Sequence, residues 1–153
     1  MDYKVRLLTR EDLPTIFQIE KECFVNPWKE SDIEYELSGN PVNRFLVLEI
    51  DNKVVGFNDF MITFNSATIS QIAVNKGYRR KGFGTILLKE MEKCFPKEGE
   101  EVVENVTLEV RASNKPAIKL YEKNGYETVV IKPHYYPDGE DAVYMVKRLM
   151  LCH

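Results

Sequence analysis

The eleven residues from Val74 to Gly84, Val-Asn-Lys-Gly-Tyr-Arg-Arg-Lys-Gly-Phe-Gly, join an apolar β-type run to an amphipathic helix through a basic, glycine-punctuated loop. Ala67, Ile69, Ile72, Ala73 and Val74 supply the strand pattern, and Phe83, Leu87, Met91, Cys94 and Phe95 recur afterwards at helical three-to-four spacing. A strand that feeds straight into a helix calls for a layered domain of sheet and helices. Gly82 and Gly84 let an anion approach the backbone, and the unpaired N–H groups of a first helical turn, with the positive end of the helix dipole, favour negative charge there. Arg79, Arg80 and Lys81 add cationic side chains at the same point. The segment therefore predicts a seat for a pyrophosphate, although a short Gly-x-Gly with basic neighbours also describes an ordinary strand-to-helix connection.

Two familiar phosphate loops are excluded by spelling. In a P-loop Lys-Ser/Thr follows the second glycine directly, whereas here Lys81 precedes Gly82 and Phe83-Gly84 follow it. A dinucleotide fingerprint needs a third glycine where this chain has Leu87. What remains, Arg79-x-x-Gly82-x-Gly84, resembles motif A of the GNAT family of acetyl-CoA-dependent N-acyltransferases. The resemblance implies that loop amides hold the pyrophosphate of coenzyme A. It assigns acetyl-CoA contacts to Ile72, Ala73, Val74, Arg79, Arg80, Lys81, Gly82, Phe83, Gly84 and Thr85, with Asn114 further on.

Composition narrows the function class. The chain has 153 residues, 44% hydrophobic and 29% charged, which suits one soluble globular domain spanning 1–153 with a real core. A formal charge of −3 argues against a surface built for nucleic acid, so the basic cluster at 79–81 is local and suited to a small polyanion. Met1-Asp2-Tyr3-Lys4 opens without a signal-type apolar stretch, and no apolar run approaches the roughly 18 residues that span a bilayer. The expectation is a cytoplasmic protein. Cys23, Cys94 and Cys152 are odd in number and far apart, and His134 and His153 are the only histidines, so neither a disulfide framework nor a metal site is expected.

Along the chain, Lys4–Leu8 reads as a strand. Thr9, Glu11 and Asp12 open a helix that carries Leu13, Ile16, Phe17 and Ile19 inward until Asn26-Pro27. A second helix is predicted from about Lys29 to Leu37, ending at Ser38-Gly39-Asn40-Pro41. Phe45–Ile50 and Val54–Thr63 form a hairpin about Asp51-Asn52-Lys53, and Asn65-Ser66 turns into the strand Ala67–Val74. Pro96–Glu101 is a polar break before a strand in which Val106, Leu108 and Val110 share a buried face. Asn114 caps a helix with Pro116 in its first turn and Ala117, Leu120 and Tyr121 on one side, closed by Asn124-Gly125. Tyr126–Ile131 and Ala142–Val146 finish the chain as strands joined through Pro137-Asp138-Gly139. The order β-α-α-β-β-β-α-β-α-β-β predicts a mixed α/β domain with helices on both faces of the sheet. It is also the order of the GNAT fold, which extends the resemblance over nearly the whole chain.

The stretch Leu108-Glu109-Val110-Arg111-Ala112-Ser113-Asn114, with Leu120-Tyr121-Glu122-Lys123-Asn124-Gly125-Tyr126 after it, closely resembles the RimI-type ribosomal-protein alanine N-acetyltransferases. The resemblance gives Glu109 the role of general base, Asn114 a coenzyme contact and Tyr121 the role of general acid. Chemistry supports these residue types independently. A thioester is attacked by a neutral amine, so the site needs a proton acceptor for the amine and a donor for the departing thiolate. Glu109 alternates with Leu108 and Val110 and so faces away from the core they enter. The strand end Ile72–Val74 can offer backbone N–H groups to the thioester carbonyl as it gains charge. Taken singly, Glu109 also fits a solvated strand residue, Tyr121 a core aromatic and Asn114 a plain helix cap.

Phe24-Val25-Asn26-Pro27-Trp28 resembles the Phe-x-x-Pro-Trp element of the same enzymes, and His134-Tyr135-Tyr136 their late Tyr-Tyr loop. The resemblance makes Phe24, Trp28, Tyr135 and Tyr136 borders of a groove for a protein N-terminus, ribosomal proteins among the acceptors. Alternatively, Trp28 staples the second helix and the tyrosines pack a hairpin end. At pH 7 an α-amine is roughly a tenth to a sixth neutral, and a lysine amine only a few parts in ten thousand. The expected reaction is acetyl transfer to the α-amine of a protein N-terminus, with lysine or polyamine acetylation, or a non-catalytic acyl-CoA sensor, as the alternatives.

Overall fold

The computed structural model describes residues 2–37, 42–96 and 102–149. Among them lie β1 (Tyr3–Leu7), α1 (Leu13–Cys23), α2 (Glu30–Leu37), β2 (Asn43–Ile50), β3 (Lys53–Thr63), β4 (Ser66–Val74), α3 (Phe83–Lys93), β5 (Asn105–Arg111), α4 (Lys115–Lys123), β6 (Glu127–Lys132) and β7 (Ala142–Arg148), the order expected from the sequence. The strands form one seven-stranded sheet in the order β1-β2-β3-β4-β5-β7-β6. The pairs β1–β2, β2–β3, β5–β7 and β6–β7 are antiparallel and β4–β5 is parallel, so the sheet is mixed. The expected turn at Ser38–Pro41, most of the break at Pro96–Glu101, Cys152 and His153 lie outside the described residues. The chain divides into two compact units, Met1–Met61 with Ser70–Cys94 and Ile62–Ile69 with Phe95–His153.

In the first unit a capping box starts the helical segment. The Asp12 carboxylate accepts from the backbone N–H and hydroxyl of Thr9 at 2.8 and 3.0 Å, and Arg6 grips its two oxygens at 2.8 and 2.9 Å. Leu13, Ile16 and Ile19 of α1 and Ile33 of α2 then bury against Phe45, Val47, Phe57 and Ala73. The alternate residues of β2, Leu48 and Ile50, meet Val55, Phe83 and Leu87 from the other side. Helices thus cover both faces of this part of the sheet, as expected. The β2–β3 turn places Asp51 and Asn52 at φ 50° and 67°, the left-handed pair that a tight hairpin demands.

One expectation in this unit needs correction. Cys94 does not continue the inward stripe of α3, because the helix ends at Lys93; Leu88 fills the stripe beside Phe83, Leu87 and Met91, and Cys94 is exposed. Phe95 is buried, but outside the helix.

In the second unit Val106, Leu108 and Val110 are buried, and β5 runs parallel to β4 from Ser66–Thr68 against Asn105–Thr107. The Asn114 side chain accepts from the Ala117 N–H at 3.2 Å and opens α4. The helix closes when the Tyr126 N–H returns to the Tyr121 carbonyl at 3.0 Å with Gly125 at φ 95°, which is why β6 starts one residue later than predicted. Tyr121 and Tyr126 pack edge to face at 5.7 Å.

Candidate active site

The first unit carries the glycine loop. At the end of β4 the Asn75 N–H bonds the Val55 carbonyl at 2.7 Å, and a Cβ on Gly56 would stand 2.7 Å from the Ala73 carbonyl oxygen. Gly56 is thus what lets β3 lie so close to the Ile72–Val74 backbone. Ala73 is buried toward α1, while Ile72 and Val74 pack partly buried on the opposite side. Asn75 receives the Gly77 N–H at 3.3 Å, Arg80 turns at φ 63° and Gly82 at φ 84°, and the chain enters α3. The Ile86 N–H bonds the Gly82 carbonyl at 3.1 Å where α3 begins, and the amides of a first helical turn point forward out of the helix. A Cβ on Gly82 would meet nothing within 4 Å, so the space beside Gly82 at the helix entrance is open. The loop therefore fits a pyrophosphate.

The basic side chains divide their labour. Arg79 Nε donates to the Val74 carbonyl at 2.9 Å, and its terminal nitrogen lies 3.3 Å from Cys23 Sγ, so Arg79 braces the loop from within. Arg80 and Lys81 are exposed, with the Lys81 ammonium 6.0 Å from the Tyr78 ring centre. Burial pushes the Cys23 thiol up despite the nearby Arg79 charge.

Phe24 and Trp28 follow α1 in this unit, partly buried on its core. Phe24 sits 6.5 Å from the Phe57 ring. Trp28 is held at two points: its backbone N–H donates to Glu20 Oε1 at 2.8 Å, and its indole N–H donates to the Gln71 side-chain oxygen at 3.1 Å when the Gln71 amide nitrogen faces Glu20. Glu20 is 1% exposed, and its burial raises its pKa.

The second unit carries the acid–base candidates. Glu109 faces away from the core, as its alternation predicted, and its Oε1 accepts from Lys132 Nζ at 2.8 Å. Tyr121 is 5% exposed; burial first and the neighbouring Tyr136 second hold its phenol well above the ordinary tyrosine range. Asn114 is occupied as the cap of α4. Tyr135 and Tyr136 meet edge to face at 5.1 Å, and the Arg111 guanidinium lies 4.2 Å from the Tyr136 ring centre. Arg111 also bonds Asp138 and Glu140, each at 2.9 Å, and the second Glu140 oxygen accepts from the Ser113 N–H at 2.8 Å. The Ser113 hydroxyl first, then Arg111 and then the Ser113 N–H, hold Glu140 down to about 2. Desolvation pushes Tyr136 up to about 12.

The sequence-predicted residues therefore group as Phe24, Trp28 and 72–85 in the first unit and Glu109, Asn114, Tyr121, Tyr135 and Tyr136 in the second. Three residues that shape these groups were given no role by the sequence reading: Gly56, Arg111 and Lys132. A lone glycine inside a strand run was the available signal for Gly56, since it marks a close backbone approach. Lys132 gave none, because a basic residue at a strand end is ordinary, and Arg111 stood in the quoted motif without a role of its own. Among the described residues no group of three or more His, Cys, Asp or Glu is arranged to hold a metal ion, and no helix is long and apolar enough to cross a membrane.

Known proteins place the chain. The model of the acetyltransferase (GNAT) family matches residues 13–126. The ribosomal protein bS18-alanine N-acetyltransferase of Escherichia coli (strain K12) is 36% identical over 143 residues, covering 90% of this chain and 92% of that protein. The N-alpha-acetyltransferase of Sulfurisphaera tokodaii is 35% identical over 167 residues, covering 97% and 94%. The crystal structure of the ribosomal-protein-S18-alanine N-acetyltransferase from Escherichia coli matches with a TM-score of 0.84 at 31% identity, covering 99% of this chain and 97% of that one. This chain belongs to the GNAT family of acetyltransferases.

Proposed function

We propose that this protein transfers the acetyl group of acetyl-CoA to the α-amine of protein N-termini, ribosomal proteins among them, with 1–153 acting as one catalytic domain in the cytoplasm. The observation that carries the reading is the agreement of full-length relatives: one named for acetylating the alanine of a ribosomal protein, the other an N-alpha-acetyltransferase, each covering at least 90% of this chain. An α-amine also asks least of the base, since its neutral fraction at pH 7 exceeds that of a lysine amine by a factor of several hundred.

Bound acetyl-CoA supplies an activated acyl carbonyl. The amides from Gly82 into α3 and the exposed Arg80 and Lys81 hold its pyrophosphate, Arg79 keeps the loop in shape, and the end of β4 offers N–H groups to the carbonyl oxygen. Glu109 takes the proton of the incoming amine, and Tyr121, kept neutral by burial, donates toward the sulfur. Phe24, Trp28, Tyr135 and Tyr136 border the acceptor. No covalent enzyme intermediate is needed.

The test is acetyl transfer from acetyl-CoA to peptides that differ in their first two residues, with N-terminally blocked lysine peptides and spermidine beside them. Turnover of free α-amines at the highest kcat/KM supports the reading. Robust lysine or spermidine turnover with no α-amine turnover removes it.

A further inference from the structure

In the first unit Trp28, Asp32, Tyr35 and Glu36 line an open pocket of about 330 Å³ with two aromatic and two acidic walls. One of those walls, Glu36, acts on a buried carboxyl group that the reaction above does not use. Asp59 is 0% exposed, and among the described residues neither of its oxygens has a hydrogen-bond partner. Its side chain leaves β3 on the face covered by α1 and α2: its cross-strand partner is Phe45, and Phe57 two residues earlier joins Phe45 in the core under those helices. The charges that act on it from the described residues are Glu36 first and Glu20 second, both of its own sign, and Glu36 is itself a wall of the pocket. Among the described residues the hydrogen-bond partners of Glu36 and Glu20 are neutral: the Asn43 amide for one, the Trp28 N–H and the Gln71 amide for the other. An interior carboxyl without a donor is costly unless it keeps its proton or meets a cation.

We propose that this pocket is a subsite for an organic cation, the ammonium or guanidinium of a basic residue near the N-terminus of the acceptor chain. The inference rests on the protein N-terminal reading. Trp28 and Tyr35 offer ring faces that attract such a cation, and Trp28 is already fixed by Glu20 and Gln71, so little ordering is required on binding. Acidic walls would hold a reacting amine in its protonated, unreactive form. The cation they suit is therefore a second, non-reacting one.

The experiment is a competition, with the full chain, between peptides identical except for lysine or norleucine at one of positions two to five. The expected result is about a tenfold higher kcat/KM for lysine at one position, carried by KM and shrinking toward unity in about 0.5 M NaCl. The double variant Asp32→Asn with Glu36→Gln brings the lysine-to-norleucine ratio close to one. Spermidine that competes with the lysine peptide without being acetylated supports the same cation subsite. Spermidine acetylated faster than any peptide overturns the acceptor assignment. Equal rates for lysine and norleucine at every position overturn the subsite while leaving the N-terminal reading standing, whereas no α-amine turnover on any peptide overturns that reading itself. Should the variant fold poorly, the salt dependence of the wild-type ratio decides alone.

Discussion

Lys132 Nζ lies 2.8 Å from Glu109 Oε1, and the same ammonium sits 4.6 Å from the centre of the Tyr144 ring and 5.4 Å from that of Tyr135. The β5–β7 register sets Glu109 opposite Tyr144, so three strands deliver a carboxylate, a cation and a phenol to one patch of the solvent-side face. A base must hold one position to take a proton efficiently, and Lys132 restrains Glu109 to one rotamer.

Lys132→Met should therefore lower kcat roughly tenfold with little change in the KM for acetyl-CoA, while Lys132→Arg keeps most of the rate. Glu109→Gln should cost about a hundredfold or more. Steady-state kinetics on a good peptide acceptor reads all three. A Lys132→Met enzyme with wild-type kcat would show that the lysine does nothing for the carboxylate.

Gly56 sits where two strand backbones approach too closely for a side chain. A Cβ there would stand 2.7 Å from the Ala73 carbonyl oxygen and 3.4 Å from Val74 Cα, and backbone atoms cannot swing aside as a side-chain tip can. Gly56→Ala should destabilise the fold by about 1–3 kcal/mol through overpacking and push the end of β4 out of place. Urea unfolding midpoints measure the first effect, and a fall in kcat measures the second. A midpoint unchanged from wild type would mean that the strands relax without cost.

Much of this architecture was legible in advance because it rests on local rules. The alternation of Val106, Leu108 and Val110 set the face of Glu109, Asn114 and Pro116 marked the start of α4, and the Gly82 spacing located the loop. What stayed hidden depends on partners distant in sequence. Nothing near Arg79 tells that its guanidinium turns back to Val74 and Cys23, or near Lys132 that it reaches Glu109 on another strand. Asp59 reads as a break in an apolar run, and only the packing of α1 and α2 over β3 makes it a buried carboxyl facing Glu36 and Glu20. Cys94 kept the helical period on paper although the helix had already ended.

Asp59 also gives stability a definite pH dependence. Burial first, then Glu36 and Glu20, raise its pKa from 3.8 to about 8, so the folded chain keeps a proton that the unfolded chain releases. Between those values the folded state binds more protons, and stability falls as pH rises, by at most about 1.4 kcal/mol per pH unit from this group. Glu20 and Glu36, also raised by burial, act in the same direction. Asp59→Asn should flatten the decline of Tm between pH 5 and about 8 and leave the variant more stable than wild type at the upper end. Parallel Tm curves for the two proteins would rule this out.

Tyr121 combines a structural and a chemical demand in one side chain. Its ring packs edge to face on Tyr126 at 5.7 Å, and burial together with Tyr136 keeps its phenol neutral well beyond the ordinary tyrosine range. Tyr121→Phe retains the ring and removes only the donor, so Tm should stay close to wild type while kcat falls about a hundredfold. Because the phenol resists ionisation, Tyr121 should contribute no descending limb to the pH dependence of kcat below about pH 10. A limb near pH 8 or 9 that disappears in Tyr121→Phe would mean that the hydroxyl ionises far more easily than its burial allows, and the assignment of a neutral donor at this position would fall with it.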